Sequence, residues 1–228
     1  MFFSKKYKLL FIASPKTGTV SIHEALQKID SDGSRWCIEY DNKKIESKDL
    51  PNGIIGHAKA KELRKALGKK TFHKLNTIAF VRNPLSKLVS SYFYIKKSNL
   101  LNFLKIKGEK NNFKRRLGFI ISSISAKILP FKLWALMYPY KSNISYISDN
   151  HGKIIVDHVG RTDHLNKYFH IIMSRLNIDS EKIKVGKKNI SNHKPYELYF
   201  KSEWFKKIIY KKMKDDIDLY EKICKNFI

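Results

Sequence analysis

Cysteine is scarce in this chain: Cys37 and Cys224 are the only two. That excludes a disulfide framework, and no Cys or His pair has the spacing of a metal clip. A reduced compartment is the simpler expectation, the two thiols bridging only if the fold brings them together. Acidic residues are also few, with 20 Asp and Glu against 46 Lys and Arg, a net charge of +26. Such a field concentrates anions. Nucleic acid, anionic membranes, anionic polymers and polyphosphorylated nucleotides all answer to it, and lysine is spread along the chain, so charge alone selects no partner. Long hydrophobic runs are missing as well. The apolar run 9–13 follows Lys5, Lys6 and Lys8 but is short for a signal peptide, and Pro15-Lys16-Thr17-Gly18 stands where a cleavage site would be. Residues 117–138 are rich in Ile, Leu, Phe and Trp, yet Lys127, Pro130 and Lys132 interrupt them, which argues against a spanning helix. A core helix pair is the favoured expectation there, an interfacial segment the alternative. With no leader and no span legible, a cytoplasmic protein is expected, peripheral to a membrane at most.

What is present suits a folded globule. The chain has 228 residues, 43% hydrophobic and 13% aromatic, and shows no repeat or linker, so one domain over 1–228 is expected. Residues 8–14 read as a buried strand, 14–19 as a turn and 19–28 as a helix with Ile22, Leu26 and Ile29 at helical spacing. Residues 34–40 suggest a short strand. Pro51-Asn52-Gly53 is a turn signal, after which a short strand begins at Ile54 and ends near His57. Residues 58–67 look helical. Residues 75–81 form a second buried strand that runs into Arg82-Asn83-Pro84 and a further helix. Residues 144–147 and 154–159 flank Asp149-Asn150-His151-Gly152 and suggest a hairpin. Residues 165–176 are an amphipathic helix and 204–223 one terminal helix. Strands alternating with helices give an α/β class: a P-loop-like central parallel sheet flanked by helices.

The segment Ser14-Pro15-Lys16-Thr17-Gly18-Thr19-Val20-Ser21 sits between buried strand and helix. A helix N-terminus offers unpaired N–H groups and a positive dipole end, and a glycine there lets backbone approach a phosphate. Lys16 adds a mobile cation; Thr17, Thr19 and Ser21 add hydroxyls. Because the Lys precedes the Gly, this is no Walker A loop. An ordinary turn with Thr19 as helix cap stays open on these residues alone.

Residues Phe11 to Thr19, Phe-Ile-Ala-Ser-Pro-Lys-Thr-Gly-Thr, resemble the 5′-phosphosulfate loop of sulfotransferases that use PAPS, 3′-phosphoadenosine 5′-phosphosulfate. The likeness is to the carbohydrate enzymes related to heparan-sulfate 2-O- and chondroitin sulfotransferases and their bacterial relatives. It implies that the amides of Thr17, Gly18 and Thr19 hold the 5′-phosphate while Lys16 neutralises the bridging oxygen. Arg82, Pro84 and Ser90 match the family's 3′-phosphate motif, in which Arg82 makes a bidentate contact. Gly56-His57 resembles the strand-end pair in which the histidine is the general base. Val159-Gly160-Arg161 resembles the family's strand-to-helix segment, with Thr162 departing from the usual aromatic and Arg161 favoured as structural. Residues 189–196 resemble a late loop over the nucleotide, which makes Ser191 and Lys194 candidate donor contacts.

The resemblance therefore implies transfer of a sulfuryl group from PAPS to a carbohydrate hydroxyl, 3′,5′-ADP leaving and no metal taking part. The basic stretch 95–139 would hold an anionic or polyhydroxylated acceptor, whose sugar is open between free, lipid-linked and polymeric; beyond the resemblance, peripheral membrane contact stays open and no specific nucleic acid is expected. Two rivals stand beside it. One is an ATP-dependent phosphotransferase of P-loop type, which leaves Arg82 with Ser90 unexplained. The other is a non-enzymatic binder of anionic polymers or membrane, for which no zinc-finger or RNA-recognition signature speaks.

Overall fold

The computed structural model describes residues 1–51, 55–98, 113–186 and 193–226. The chain divides into two compact units. The first holds residues 1–84, 141–189 and 215–228, the second residues 85–140 and 190–214.

The first unit is built on a sheet of β1 (Phe2–Ser4), β2 (Leu9–Ile12), β5 (Asn76–Val81) and β6 (His158–Arg161), in that spatial order. β2, β5 and β6 run parallel, and β1 pairs antiparallel on the edge. The parallel strands are short apolar runs because both faces are covered. Phe3, Leu10, Ile12, Ala79, Val81 and Val159 face one core with α2 (Ala60–Leu67) and α10 (Lys214–Asn226). Phe2, Leu9, Phe11, Ile78 and Phe80 face the other with α1 (Thr19–Ile29) and α8 (Leu165–Arg175). This is the expected α/β architecture, a central parallel sheet flanked by helices. Gly160 permits the close fit on the second face, since a Cβ there would lie 2.6 Å from the Phe80 ring. The register of β5 with β6 is pinned by Asp157, whose carboxylate accepts from the Thr77 amide at 2.8 Å and hydroxyl at 2.6 Å. A separate hairpin joins β3 (Ile38–Tyr40) to β4 (Lys43–Ile45), and a short helix α3 (Lys69–Phe72) follows α2.

Three sequence expectations change. The strand expected to end near His57 is a single 3-10 turn, Ile55–His57, because β1 and β5 already occupy both edges of β2; Asn52, Gly53 and Ile54 lie outside the described residues. The hairpin expected at 144–159 is instead a short helix, α7 (Ile144–Ile147), before β6. The buried Asp216 carboxylate accepts from the Asn143 and Ile144 amides at 2.6 and 2.9 Å and starts that helix. The expected turn at 149–152 remains, with the Ser148–Ile154 bridge and the Asp149–Lys153 and Ile155–Ile147 backbone hydrogen bonds. The expected helix 204–223 is two, α9 (Glu203–Lys212) and α10, broken at Met213 as the chain passes between units.

The second unit contains α4 (Pro84–Lys97, from Leu85), α5 (Phe113–Ile128), α6 (Phe131–Met137) and α9. It packs on aromatic rings: Phe131 meets Tyr92, Tyr199, Phe200 and Phe205 edge-on. Lys212 donates to the carbonyls of Ala135, Leu136 and Tyr138, closing the C-terminus of α6. Among the described residues no helix is long and apolar enough to cross a membrane, and no cluster of His, Cys, Asp and Glu forms a metal site. Cys37 and Cys224 are both free thiols.

Candidate active site

β2 delivers the chain into a loop that folds on its own carbonyl. The Thr17 and Thr19 hydroxyls both donate to the Ser14 carbonyl, at 2.8 and 3.1 Å. Their protons are thereby used inside the loop, which leaves anion binding to the backbone. Lys16 and Gly18 both adopt left-handed backbone, φ 65° and 71°. A lysine pays for that conformation in strain, about 1–3 kcal/mol for such outliers, and strain of this kind gathers at functional sites. Gly18 caps α1 with no side-chain hydrogen bond, and Thr19 is the first helical residue rather than the cap. The amides of Gly18 and Thr19 donate to no protein group among the described residues. Successive backbone donors at a helix N-terminus form an anion-binding concavity. Ser21 is buried one turn further along α1.

β5, paired beside β2, ends in Arg82. Its Nη1 donates to the Lys16 carbonyl at 3.4 Å, so the guanidinium faces the lysine loop. The Arg82 carbonyl in turn accepts from Asn143 Nδ2 at 3.0 Å. Burial lowers the Arg82 pKa. Burial, with the Arg82 charge second, lowers the Lys16 ammonium to about 8. Two cations are thus held together at the ends of neighbouring parallel strands, where ligands of open α/β sheets collect.

His57 is tied to the same loop from the other side, its Nδ1 lying 2.9 Å from the Ala13 carbonyl. A carbonyl can only accept, so Nδ1 carries the proton and Nε2 of the neutral ring holds the lone pair. Sequence reasoning singled out His57 but not Ala13, which acts through its backbone and leaves no side-chain signal. His23 packs edge-on against Phe11, and burial drives its pKa down to about 3, so it stays neutral. Arg161 is engaged by Asp163 through two hydrogen bonds and lies over the Tyr168 and Tyr220 rings.

The first unit therefore gathers Lys16, Thr17, Gly18, Thr19, Ser21, His57 and Arg82. Ser90 and Lys194 belong to the second unit. Ser90 is buried within α4, Lys194 is exposed, and Ser191 lies outside the described residues. Lys87 escaped sequence reasoning. It is 1% exposed, one turn before Ser90, with its Nζ 5.6 Å from the Tyr140 ring centroid. The available signal was a lysine directly before the apolar pair Leu88-Val89 and one helical turn before Ser90.

What this arrangement can do is bind a multiply charged anion and take a proton beside it. No curated protein and no solved structure matches the chain. A family model does, over residues 1–222, and it is that of the sulfotransferase family, to which this chain belongs.

Proposed function

We propose that this sulfotransferase moves the sulfuryl group of PAPS to a carbohydrate hydroxyl, with His57 as general base. The observation that carries the reading is the placement of Lys16 beside Arg82, with uncapped amides between strand and helix. Two adjacent cations whose pKa values are both lowered are best relieved by an anion of more than one charge, and PAPS carries phosphates at both ends of its ribose. The amides of Gly18 and Thr19 would hold the 5′-phosphate and Arg82 the 3′-phosphate. Ser90, Ser191 and Lys194 are assigned to the donor by motif alone. The carbohydrate acceptor rests on the likeness of residues 11–19 and of Gly56-His57 to carbohydrate enzymes.

The acceptor oxygen forms a bond to sulfur as the bond from sulfur to the 5′-phosphate oxygen breaks. His57 Nε2 takes the hydroxyl proton, and the electron pair leaves with 3′,5′-ADP. Lys16 and the loop amides stabilise the charge that grows on the leaving oxygen.

A thermal-shift titration tests the donor. 3′,5′-ADP at a hundredfold excess over Kd should stabilise the protein by about 2.7 kcal/mol, with ADP clearly weaker. Absence of any shift removes PAPS. His57→Ala should keep that shift and lower turnover with labelled PAPS and a glycan panel roughly 10²–10⁴-fold. Turnover near wild type removes His57 as base, and labelling of no glycan removes the acceptor class.

A further inference from the structure

Helices α5 and α6 follow each other across Leu129-Pro130 in the second unit, and their inward residues are well packed. Ser123, Ala126, Phe131, Trp134 and Ala135 are buried. Among the described residues, large apolar side chains on both helices stay exposed. Ile121, Ile124 and Ile128 on α5 are 57%, 43% and 73% exposed, and Leu133 and Met137 on α6 are 50% and 70% exposed. The three isoleucines recur at i, i+3 and i+7 and so form one stripe, and the α6 pair lies one turn apart. Single exposed apolar residues are ordinary, whereas a run of large ones on consecutive helices marks an interaction surface. Lys127 and Lys132 are exposed within the same two helices. The chain has no Asp or Glu between Glu109 and Asp149.

We propose that this face docks on the surface of a bilayer containing anionic lipid, with the isoleucine stripe and the Leu133–Met137 pair in the headgroup and acyl boundary and the lysines on headgroup phosphates. Charge selects this occupant. A second copy of the chain would bring the same lysines and the same +26 to the contact. A nucleic acid or an acidic glycan would satisfy the lysines but leave the apolar side chains in water. An anionic bilayer satisfies both, and helices of 16 and 7 residues lie along such a surface rather than cross it. The inference uses no residue of the donor site, although both helices fall within the stretch 95–139 expected to hold the acceptor; vesicle partition and sulfuryl transfer are read separately.

Co-sedimentation of the full chain with vesicles tests it. The protein should pellet with phosphatidylcholine vesicles containing about 30% phosphatidylglycerol and stay in solution with pure phosphatidylcholine. The paired change Ile128→Ser with Met137→Ser alters no charge, and it should lower partition at least about tenfold at an unchanged melting temperature. Trp36→Ser, which removes the 74% exposed Trp36 in the first unit, should leave partition unchanged. Should the paired variant fail to fold, Met137→Ser alone should lower partition about threefold. The proposal is overturned if the serine variants bind like wild type, because charge alone then explains the attraction. It is equally overturned if wild type forms a dimer that these changes split while neither form pellets with vesicles.

Discussion

Two of the turns from strand into helix carry a cation of the candidate site, Lys16 and Arg82, and these two joints are built on opposite plans. Between Ile12 and Thr19 the loop is long, carries left-handed backbone at Lys16 and Gly18, and ends in a helix with no side-chain cap. Between Val81 and Pro84 there are only Arg82 and Asn83. Pro84 has no N–H to offer, so the second joint presents one backbone donor fewer, and Arg82 is its cation. Under the proposed reading the first joint would bind through amides, so its conformation would matter most, and the second through a guanidinium, so its position would matter most. Backbone strain pays for the first, and a distant tether holds the second: Asp216 binds the Asn143 amide, and Asn143 binds the Arg82 carbonyl.

The contrast is sharpest in substitutions that separate shape from charge. Lys16→Gly keeps the left-handed loop and relieves its strain, so the melting curve should shift upward, by up to about 1 kcal/mol. Turnover with PAPS should nevertheless fall roughly 10²–10³-fold, because the leaving oxygen loses its cation. Arg82→Gln should act on affinity instead, weakening 3′,5′-ADP about ten- to hundredfold and abolishing its advantage over ADP. If Lys16→Gly turns over normally, or if Arg82→Gln leaves nucleotide discrimination intact, the two joints are not the paired anion sites described.

A smaller effect is expected from the tether. Asp216 is 1% exposed. Asp216→Ala strands two N–H groups that it now satisfies, and should cost about 2–3 kcal/mol in urea unfolding. Donor KM should rise a few-fold with kcat little changed, since Arg82 loses its anchor rather than its charge. Asp216→Asn retains one acceptor and should recover part of both losses. A variant with lost stability but unaltered KM would make Asp216 a helix cap and nothing more.

These joints also show what a sequence discloses. β2 and β5 were legible because strands buried on both faces read as unbroken apolar runs, and α1 because Ile22 and Leu26 repeat at helical spacing. Lys16, His57 and Arg82 stood out because each sits beside a strand end or a glycine turn. The tether did not, because its two links span 73 and 61 residues and neither Asp216 nor Asn143 belongs to a local pattern. For the same reason 144–147 read as a strand: Ile, Tyr and Ile suit one, whereas the remote Asp216 carboxylate, with the Ser142 hydroxyl accepting from the Ser145 amide, starts a helix there. The apolar period from 204 to 223 runs on through Met213, where the break is set by the passage between units. Ile208, which falls on that apolar period, is nevertheless 46% exposed.

The smallest expected effect is a proton. Burial, helped by Arg82, lowers Lys16 from 10.5 to about 8. Between those values the unfolded chain still binds a proton that the folded chain has released, so this group makes stability rise with pH across the window. Below it the folded protein holds a charged lysine at a cost. An anion seated on the loop reverses the preference and lifts the Lys16 pKa back. Binding of 3′,5′-ADP at about pH 9 should therefore take up to one proton into the protein through Lys16, whereas near pH 7 Lys16 is already charged and adds almost none. Calorimetry in two buffers of different ionisation enthalpy reads that difference directly. The uptake at the higher pH should vanish in Lys16→Gly but persist in Asp216→Asn. If it survives the loss of the lysine, the proton belongs to another group, and the first joint binds its anion through amides alone.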